Sequence, residues 1–225
     1  YAHARSLDAD ERALLLTWLD EGAPEGDAAD APAPVPDPTP FEPELTLSLP
    51  EPYTPQLEPD DYRCFVIPWN EAGYVTGVRV DPDQRSIVHH VIAFAVDPAM
   101  VDMVEALDAE DPEPGYTCFG GSGVPSRWVG SWAPGGLGVV YPEGTGVRMD
   151  AGSRLVVQMH YNTSASSSVA DQSAISFMVE PTVERPLVNQ PLANPGWVAG
   201  FEPMTIPAGD PDVSHETTID LTSNL

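Results

Sequence analysis

Residues 87–96 read IVHHVIAFAV, and residues 154–161 read RLVVQMHY. Each run is rich in β-branched and apolar residues and lies between clusters of turn-forming residues, which is typical of a buried strand. Side chains alternate between the two faces of a strand. In the second run this alternation places Met159 on the apolar face, as a packing residue, and His160 on the opposite face.

Further runs of the same kind lie on both sides of these two. Short strands separated by Pro, Gly and Asp clusters at this spacing predict an antiparallel sandwich or barrel. A short helix is predicted over Pro98–Leu107. The eight predicted strands are Leu45–Leu49, Tyr62–Ile67, Tyr74–Val80, Ile87–Val96, Ser126–Trp132, Gly146–Met149, Arg154–Tyr161 and Ser173–Val179.

The N-terminal part has a helical pattern instead. Residues 7–21 predict one helix that begins with Asp8 and Glu11 in a capping box and stops at Gly22. Its apolar stripe consists of Leu14, Leu15, Trp18 and Leu19.

Changes in composition divide the chain into five expected segments. Pro-rich stretches separate the helix from the strands, and the strands from a last β pattern at Met204–Leu221. The segments are 1–24, the tail of an upstream helical domain; 25–43, a Pro- and Ala-rich linker; 44–180, the main β-sandwich; 181–203, an extended linker; and 204–225, the start of a second β-sandwich.

The composition is strongly acidic. Asp and Glu number 35 against 9 Lys and Arg, which gives a formal charge of −26. Such a surface repels phosphate backbones and anionic lipid, so nucleic-acid and membrane-surface roles are disfavoured. No apolar run reaches the roughly 20 residues that a membrane span needs. The charge suits a soluble protein, a salty medium or a cationic partner.

Two cysteines, Cys64 and Cys118, are too few for a thiolate metal cage. From the residues alone they are either buried free thiols or one disulfide.

The adjacent pair His89 and His90 lies inside an otherwise apolar strand. Two imidazoles are costly there unless something satisfies them, and a metal ion does so. Neighbouring strand residues point to opposite faces, so both reach one ion only if the strand bulges, twists sharply or ends. The alternative is one hydrogen-bonded core histidine beside one surface histidine.

His160, on a second long strand, adds a third candidate ligand. Three histidines without a thiolate form an open site suited to copper or zinc and unlike blue copper. His215 lies at a polar position and is interpreted as an exposed histidine. His3 carries no inference.

Three segments together resemble a known family. They are YRCFVIP at residues 62–68, VHHV at 88–91 and VQMHY at 157–161. Their order resembles that in the copper type II, ascorbate-dependent monooxygenases, which include peptidylglycine α-hydroxylating and dopamine β-monooxygenases. The resemblance covers roughly Pro43 to Val179, with a weaker match from Met204 to Leu221.

The resemblance implies two successive β-sandwiches of jelly-roll-like type, each with one copper. His89, His90 and His160 match the three ligands of the first copper, which collects electrons from ascorbate and passes them on. Cys64 and Cys118 match a disulfide pair, which implies an extracytoplasmic (periplasmic or secreted) location.

The second copper of the family is where oxygen and substrate react. Its ligands are a His-x-His pair and a Met, and this sequence contains no His-x-His. Residues 205–209, TIPAG, resemble the opening of the second sandwich. The partner implied is therefore a second copper domain of the parent protein, and we expect no hydroxylation by this chain alone. No residue is assigned a catalytic role.

Residues 14–24, LLLTWLDEGAP, more weakly resemble the last helix of a c-type cytochrome domain. No Cys-x-x-Cys-His is present. If the parent protein has this motif upstream, the cytochrome resemblance makes its haem an alternative electron donor to ascorbate. Two other functions remain open for the His₃ site: a copper- or zinc-binding module without catalysis, and a zinc hydrolase. No oligomeric state is predicted.

Overall fold

The computed structural model describes residues 7–31, 41–189, 192–198 and 200–219. The chain forms two compact units, Tyr1–Pro38 and Thr39–Leu225. Within the described ranges no helix has the length and apolar character to span a membrane.

The helices and strands are numbered in chain order. The helices are α1 (Ala9–Asp20), α2 (Val101–Glu110) and α3 (Pro195–Val198), with 3-10 turns at Ala28–Asp30 and Pro98–Met100. The strands are β1 (Leu45–Ser48), β2 (Asp60–Pro68), β3 (Gly73–Asp81), β4 (Val88–Val96), β5 (Tyr116–Thr117), β6 (Arg127–Trp132), β7 (Val139–Val140), β8 (Thr145–Met149), β9 (Arg154–Asn162), β10 (Ala174–Glu180) and β11 (Arg185–Pro186).

The first unit contains α1, whose predicted capping box is present. The backbone N–H groups of Asp10 and Glu11 donate to Asp8 Oδ1, and the Asp8 N–H donates to Glu11 Oε2. Gly22 follows the helix at a φ of 86°, a conformation that favours glycine and ends the helix as predicted. The residues of the predicted apolar stripe are all exposed: Leu14, Leu15, Trp18 and Leu19.

In the second unit the strands form two sheets around one core, which confirms the predicted all-β sandwich. One sheet has the order β1–β10–β3–β8–β11, with β7 also on β3, and the other has the order β5–β2–β9–β4–β6. All eight predicted strands are present, with ends that differ by one or two residues. The three strands that the sequence does not reveal, β5, β7 and β11, have two residues each. A pair of residues is too short to show an alternating pattern.

The core lies between the two sheets and is built from the alternating apolar residues of the long strands. Burial of each large apolar side chain stabilises the fold by about 1.5–3 kcal/mol. Trp69 and Phe177 meet edge to face with ring centroids 5.5 Å apart. Met159 is fully buried here and packs as predicted. The contribution of β9 consists of Leu155, Val157, Met159 and Tyr161.

The outer face of the five-stranded sheet carries a second, smaller cluster. On this face Val104 of α2 is fully buried with Val156 of β9 and Phe94 of β4. The disulfide between Cys64 and Cys118 belongs to the same cluster. Because side chains two residues apart share a face, the outer face continues from Val156 to the end of β9.

Arg63 connects β2 to the segment that follows α2. Its side chain is 4% exposed, and its two Nη atoms donate to the carboxylate oxygens of Asp111 at 2.9 and 2.7 Å. Its Nε and Nη2 also donate to the backbone oxygens of Pro114 and Gly115. These hydrogen bonds from Arg63 hold the pKa of the Asp111 carboxyl below its usual value. The ion pair between Arg63 and Asp111 therefore attaches the end of α2, the helix that packs on the outer face, to the sheet.

Three expectations for the connecting segments need correction. The helix predicted over Pro98–Leu107 begins as a 3-10 turn and continues to Glu110. The expected linker 181–203 is not wholly extended, because α3 forms one helical turn, and its strand β11 pairs in parallel with β8. The strand expected over Met204–Leu221 is absent from residues 204–219. That segment has no neighbouring strand in the described residues to bond its backbone groups, and residues 220–225 lie outside them.

Replacing Asp111 with Asn should lower the free energy of unfolding at pH 7 by about 1–3 kcal/mol, because buried Arg63 loses its charged partner. The folded-state pKa of Asp111 is lowered, so its stabilising effect is complete above the unfolded value of 3.8. That effect is lost as the pH falls through the folded-state value. Urea unfolding should therefore separate wild type from Asp111→Asn at pH 7 and bring them together at about pH 2. An equal difference at both pH values would contradict this assignment.

Candidate metal centre

The three predicted histidines lie at one end of the outer face of the five-stranded sheet. His90 of β4 is directly opposite His160 of β9, and Tyr62 of β2 is opposite the same residue on the other side. Tyr62, His160 and His90 thus form a row across three neighbouring strands. The two histidine-bearing strands are neighbours in the sheet.

A β-bulge brings His89 to the same place. The register of β4 on β9 shifts between Val88 and His90, so that Val88 pairs with Tyr161 and His90 with His160. His89 is the extra residue between them. Since a bulge re-aims a side chain that would otherwise point to the opposite face, the two adjacent histidines share one face.

The ring nitrogens of the three histidines converge. Nδ1 of His90 is 3.3 Å from Nδ1 of His89 and 3.1 Å from Nδ1 of His160. One possible ligand atom from each residue lies within 4.8 Å of the other two. Nitrogens that bind one ion at about 2.0 Å are roughly 3.3–3.5 Å apart. The spacing therefore fits a single copper- or zinc-sized ion.

Hydrogen bonds among the rings cannot fully satisfy this arrangement. An imidazole nitrogen carries either one proton or one lone pair in the ring plane, so Nδ1 of His90 can make one good hydrogen bond although it faces two nitrogens. An ion bound by the lone pairs of the three Nδ1 atoms would leave none of these three atoms without a partner. The donor set consists of neutral imidazoles, which suit copper and zinc.

Burial differs among the three ligands. His160 is buried, His90 is half-buried and His89 is exposed. Burial, followed by the proximity of His160 and His89, lowers the pKa of His90. The His90 ring is therefore neutral at pH 7 and has a lone pair available for a metal.

Asp60, at the start of β2, determines which ring nitrogen of His160 carries the proton. Its Oδ1 lies 2.8 Å from His160 Nε2 and also accepts from Asn162 Nδ2 at 2.7 Å. Hydrogen bonds from Asn162 and then from His160 hold the pKa of the Asp60 carboxyl below its usual value. A carboxylate at Nε2 keeps the proton on that nitrogen and leaves the lone pair on Nδ1, which faces the other histidines.

Sequence reasoning did not identify Asp60 as part of the site. It is separated from His160 by 100 positions, and nothing local distinguishes it from the other acidic residues of the chain. The relevant information is the β2–β9 register, which places Asp60 opposite Asn162. That register becomes available only with the structure.

The residues near His160 on β9 make contacts outside the histidine cluster. Gln158 is buried and donates to the Gly121 backbone oxygen at 3.1 Å. Tyr161 points into the core, where its hydroxyl donates to Asp171 Oδ2 at 3.0 Å. The sequence analysis assigned neither residue to the site, and neither belongs to the histidine cluster.

The remaining predicted residues are placed as follows. Cys64 and Cys118 form a disulfide with Cα atoms 5.8 Å apart. His215 is exposed, and its ring centroid is 6.0 Å from that of Trp197. It is not a member of the metal cluster found in the described residues. His3 lies outside them.

Two comparisons with known proteins were made. No protein-family model matches the sequence. No curated protein is significantly similar to it. The candidate metal centre is therefore inferred from the geometry of His89, His90 and His160 alone.

Replacing Asp60 with Asn should weaken Cu(II) binding about 10–100-fold, because His160 loses the charged acceptor that orients its ring. Competition titration with a chelator of known affinity measures the change. Asp102→Asn, on the exposed surface of α2, removes the same charge away from the histidine row and should leave the affinity unchanged. Equal losses in the two variants would mean that only the overall charge matters.

Proposed function

We propose that the second unit is the electron-transfer copper domain of a copper type II, ascorbate-dependent monooxygenase. The observation that carries the proposal is the convergence of Nδ1 atoms from His89, His90 and His160. These are the residues that the family resemblance assigns to the first copper. The bulge and the Asp60 hydrogen bond support it further, since they orient the rings toward one point.

The residues prepare the site for a metal that changes oxidation state. When bound, copper supplies one-electron redox chemistry. Three neutral imidazoles form a donor set that holds Cu(I) and leaves room for the further ligands of Cu(II). Asp60 holds a proton at His160 Nε2 and orients that ring, so that its Nδ1 lone pair faces the other two histidines.

The exposure of the site suits exchange of electrons with a donor from solution. His89 is exposed and His90 is half-buried, although His160 is buried, so the cluster reaches the protein surface at His89. Ascorbate is the donor that the resemblance implies, and an upstream haem is the alternative. We propose that the domain works with a second copper domain of the parent protein, where substrate and oxygen react.

The disulfide supports an extracytoplasmic location within this proposal. Disulfides persist in oxidising compartments and are rare in the cytosol. Cys64–Cys118 joins β2 to the segment after β5 and lies on the same sheet face as the metal centre.

A copper titration of the full chain tests the proposal. We expect one Cu(II) per chain, nitrogen hyperfine structure in the electron-paramagnetic-resonance spectrum, and reduction by ascorbate. His160→Ala should abolish or greatly weaken binding, because it removes the central ligand of the row. His215→Ala removes an exposed imidazole outside the cluster and should bind copper like the wild type.

Any of four outcomes would reject the proposal. Failure of the wild type to bind stoichiometric copper, or binding that is the same in His160→Ala, would leave a sandwich without this metal. Copper binding without reduction by ascorbate would instead favour a metal-binding module. Tight zinc binding with hydrolytic activity would favour the zinc hydrolase.

The negative charge of the protein predicts that salt changes the rate at which ascorbate reduces the bound copper. Ascorbate is an anion at pH 7, and the chain carries a formal charge of −26. Repulsion slows their encounter and is screened by salt. Stopped-flow reduction of the copper-loaded protein should therefore become faster as ionic strength rises from about 10 to 150 mM. A rate that falls with salt would contradict electrostatic repulsion at the site.

A further inference from the structure

Tyr62 lies flat against the metal-ligand candidate His160. The two ring centroids are 4.1 Å apart and the ring planes differ by only 7°. The residues are directly opposite each other in the β2–β9 ladder. Cross-strand neighbours are held close by the backbone, but parallel stacking at this distance also requires a matching orientation of both side chains.

Tyr62 also contacts Phe119. The Phe119 ring meets Tyr62 edge to face, with centroids 4.9 Å apart and planes at 87°. Phe119 follows Cys118, whose disulfide partner Cys64 is two residues after Tyr62 on β2. The Cys118 N–H also donates to the Tyr62 backbone oxygen at 3.1 Å. A covalent bond and a backbone hydrogen bond thus keep the two aromatic residues together.

The position of Phe119 is not explained by burial. Its side chain is 82% exposed, so the hydrophobic effect contributes little to holding it there. Its edge contact covers part of Tyr62, which is itself half-buried. The arrangement therefore limits how far the Tyr62 ring can turn away from His160.

We propose that Tyr62 is a positioning residue for the metal, acting through His160 and favouring the oxidised over the reduced ion. This inference rests on the proposed function of the site. A metal ion withdraws electron density from the imidazole that binds it, and a doubly charged ion does so more than a singly charged one. The electron-rich face of a phenol attracts a positively polarised ring. The stack therefore stabilises Cu(II) at His160 more than Cu(I).

The proposal differs from a purely structural role for Tyr62. A packing residue would affect the binding of both copper ions equally, because both require the same folded site. A residue that acts through the charge of the imidazole changes the ratio of the two affinities. That ratio also sets the reduction potential, for which a tenfold change corresponds to about 59 mV.

The test compares Tyr62→Leu with Tyr62→Phe in the full chain, using Cu(II) and Cu(I) as separate probes. Tyr62→Leu removes the aromatic face and should lower the Cu(II) affinity about tenfold, with a smaller change for Cu(I). Tyr62→Phe keeps a stacked ring and should stay within about threefold of the wild type in both. Tyr74→Leu makes the same substitution at a half-buried tyrosine of the other sheet and should change neither. Electron-paramagnetic-resonance spectra of the Cu(II) forms should change in Tyr62→Leu alone.

The outcomes distinguish a failure of this inference from a failure of the proposed function. If the wild type binds no stoichiometric copper, the proposed function fails and the inference falls with it. If the wild type binds copper but Tyr62→Leu has an unchanged Cu(II)-to-Cu(I) affinity ratio, only the role of Tyr62 is overturned. Should Tyr62→Leu fail to fold, Phe119→Ala provides the test, because Phe119 is largely exposed. It should shift the same ratio in the same direction by a smaller factor, and an unchanged ratio would overturn the inference.

Discussion

The backbone pairing of β9 is the constraint on which the candidate site depends. β9 is hydrogen-bonded along its length to β2 on one side and to β4 on the other. Its inward side chains fill the core, which fixes the register because a slip of one residue would turn every apolar side chain outward. Once that register is set, Tyr62, His160 and His90 must occupy one row. The same packing that stabilises the sandwich therefore determines which side chains meet at its surface.

Much of the fold was predictable because short runs rich in apolar and β-branched residues are separated by clusters of Pro, Gly and Asp. The eight predicted strands follow from these runs, and the opposite orientations of Met159 and His160 follow from the alternation of side chains along a strand. The short strands β5, β7 and β11 were missed because their pairing depends on partners brought together by the rest of the fold. The β pattern after residue 204 was wrong within the described residues for the same reason, since a pattern without a neighbouring strand does not make a sheet.

The candidate site was predictable in its ligands but not in its surroundings. His89, His90 and His160 stand out because imidazoles are unusual in apolar strands. For the adjacent His89 and His90 to reach one ion, the sequence required a bulge, a sharp twist or a strand end, and the structure has a bulge. Asp60 and the stacking of Tyr62 depend instead on register, on rotamers and on a disulfide-held loop. No local pattern encodes these contacts. The residues that contact the candidate ligands are therefore harder to recognise in this sequence than the candidate ligands themselves.

For the proposed copper site, the placement of the candidate ligands on strands has a consequence for the speed of electron exchange. His90 and His160 belong to a ladder hydrogen-bonded to neighbours on both sides, and His160 is also held by Asp60 and Tyr62. Ligands on strands hold a more precise geometry than ligands on loops. A scaffold of this stiffness resists the rearrangement of bonds that normally accompanies a change of oxidation state. Low reorganisation energy is the property that a relay for single electrons requires, and here it would follow from ordinary sheet hydrogen bonding.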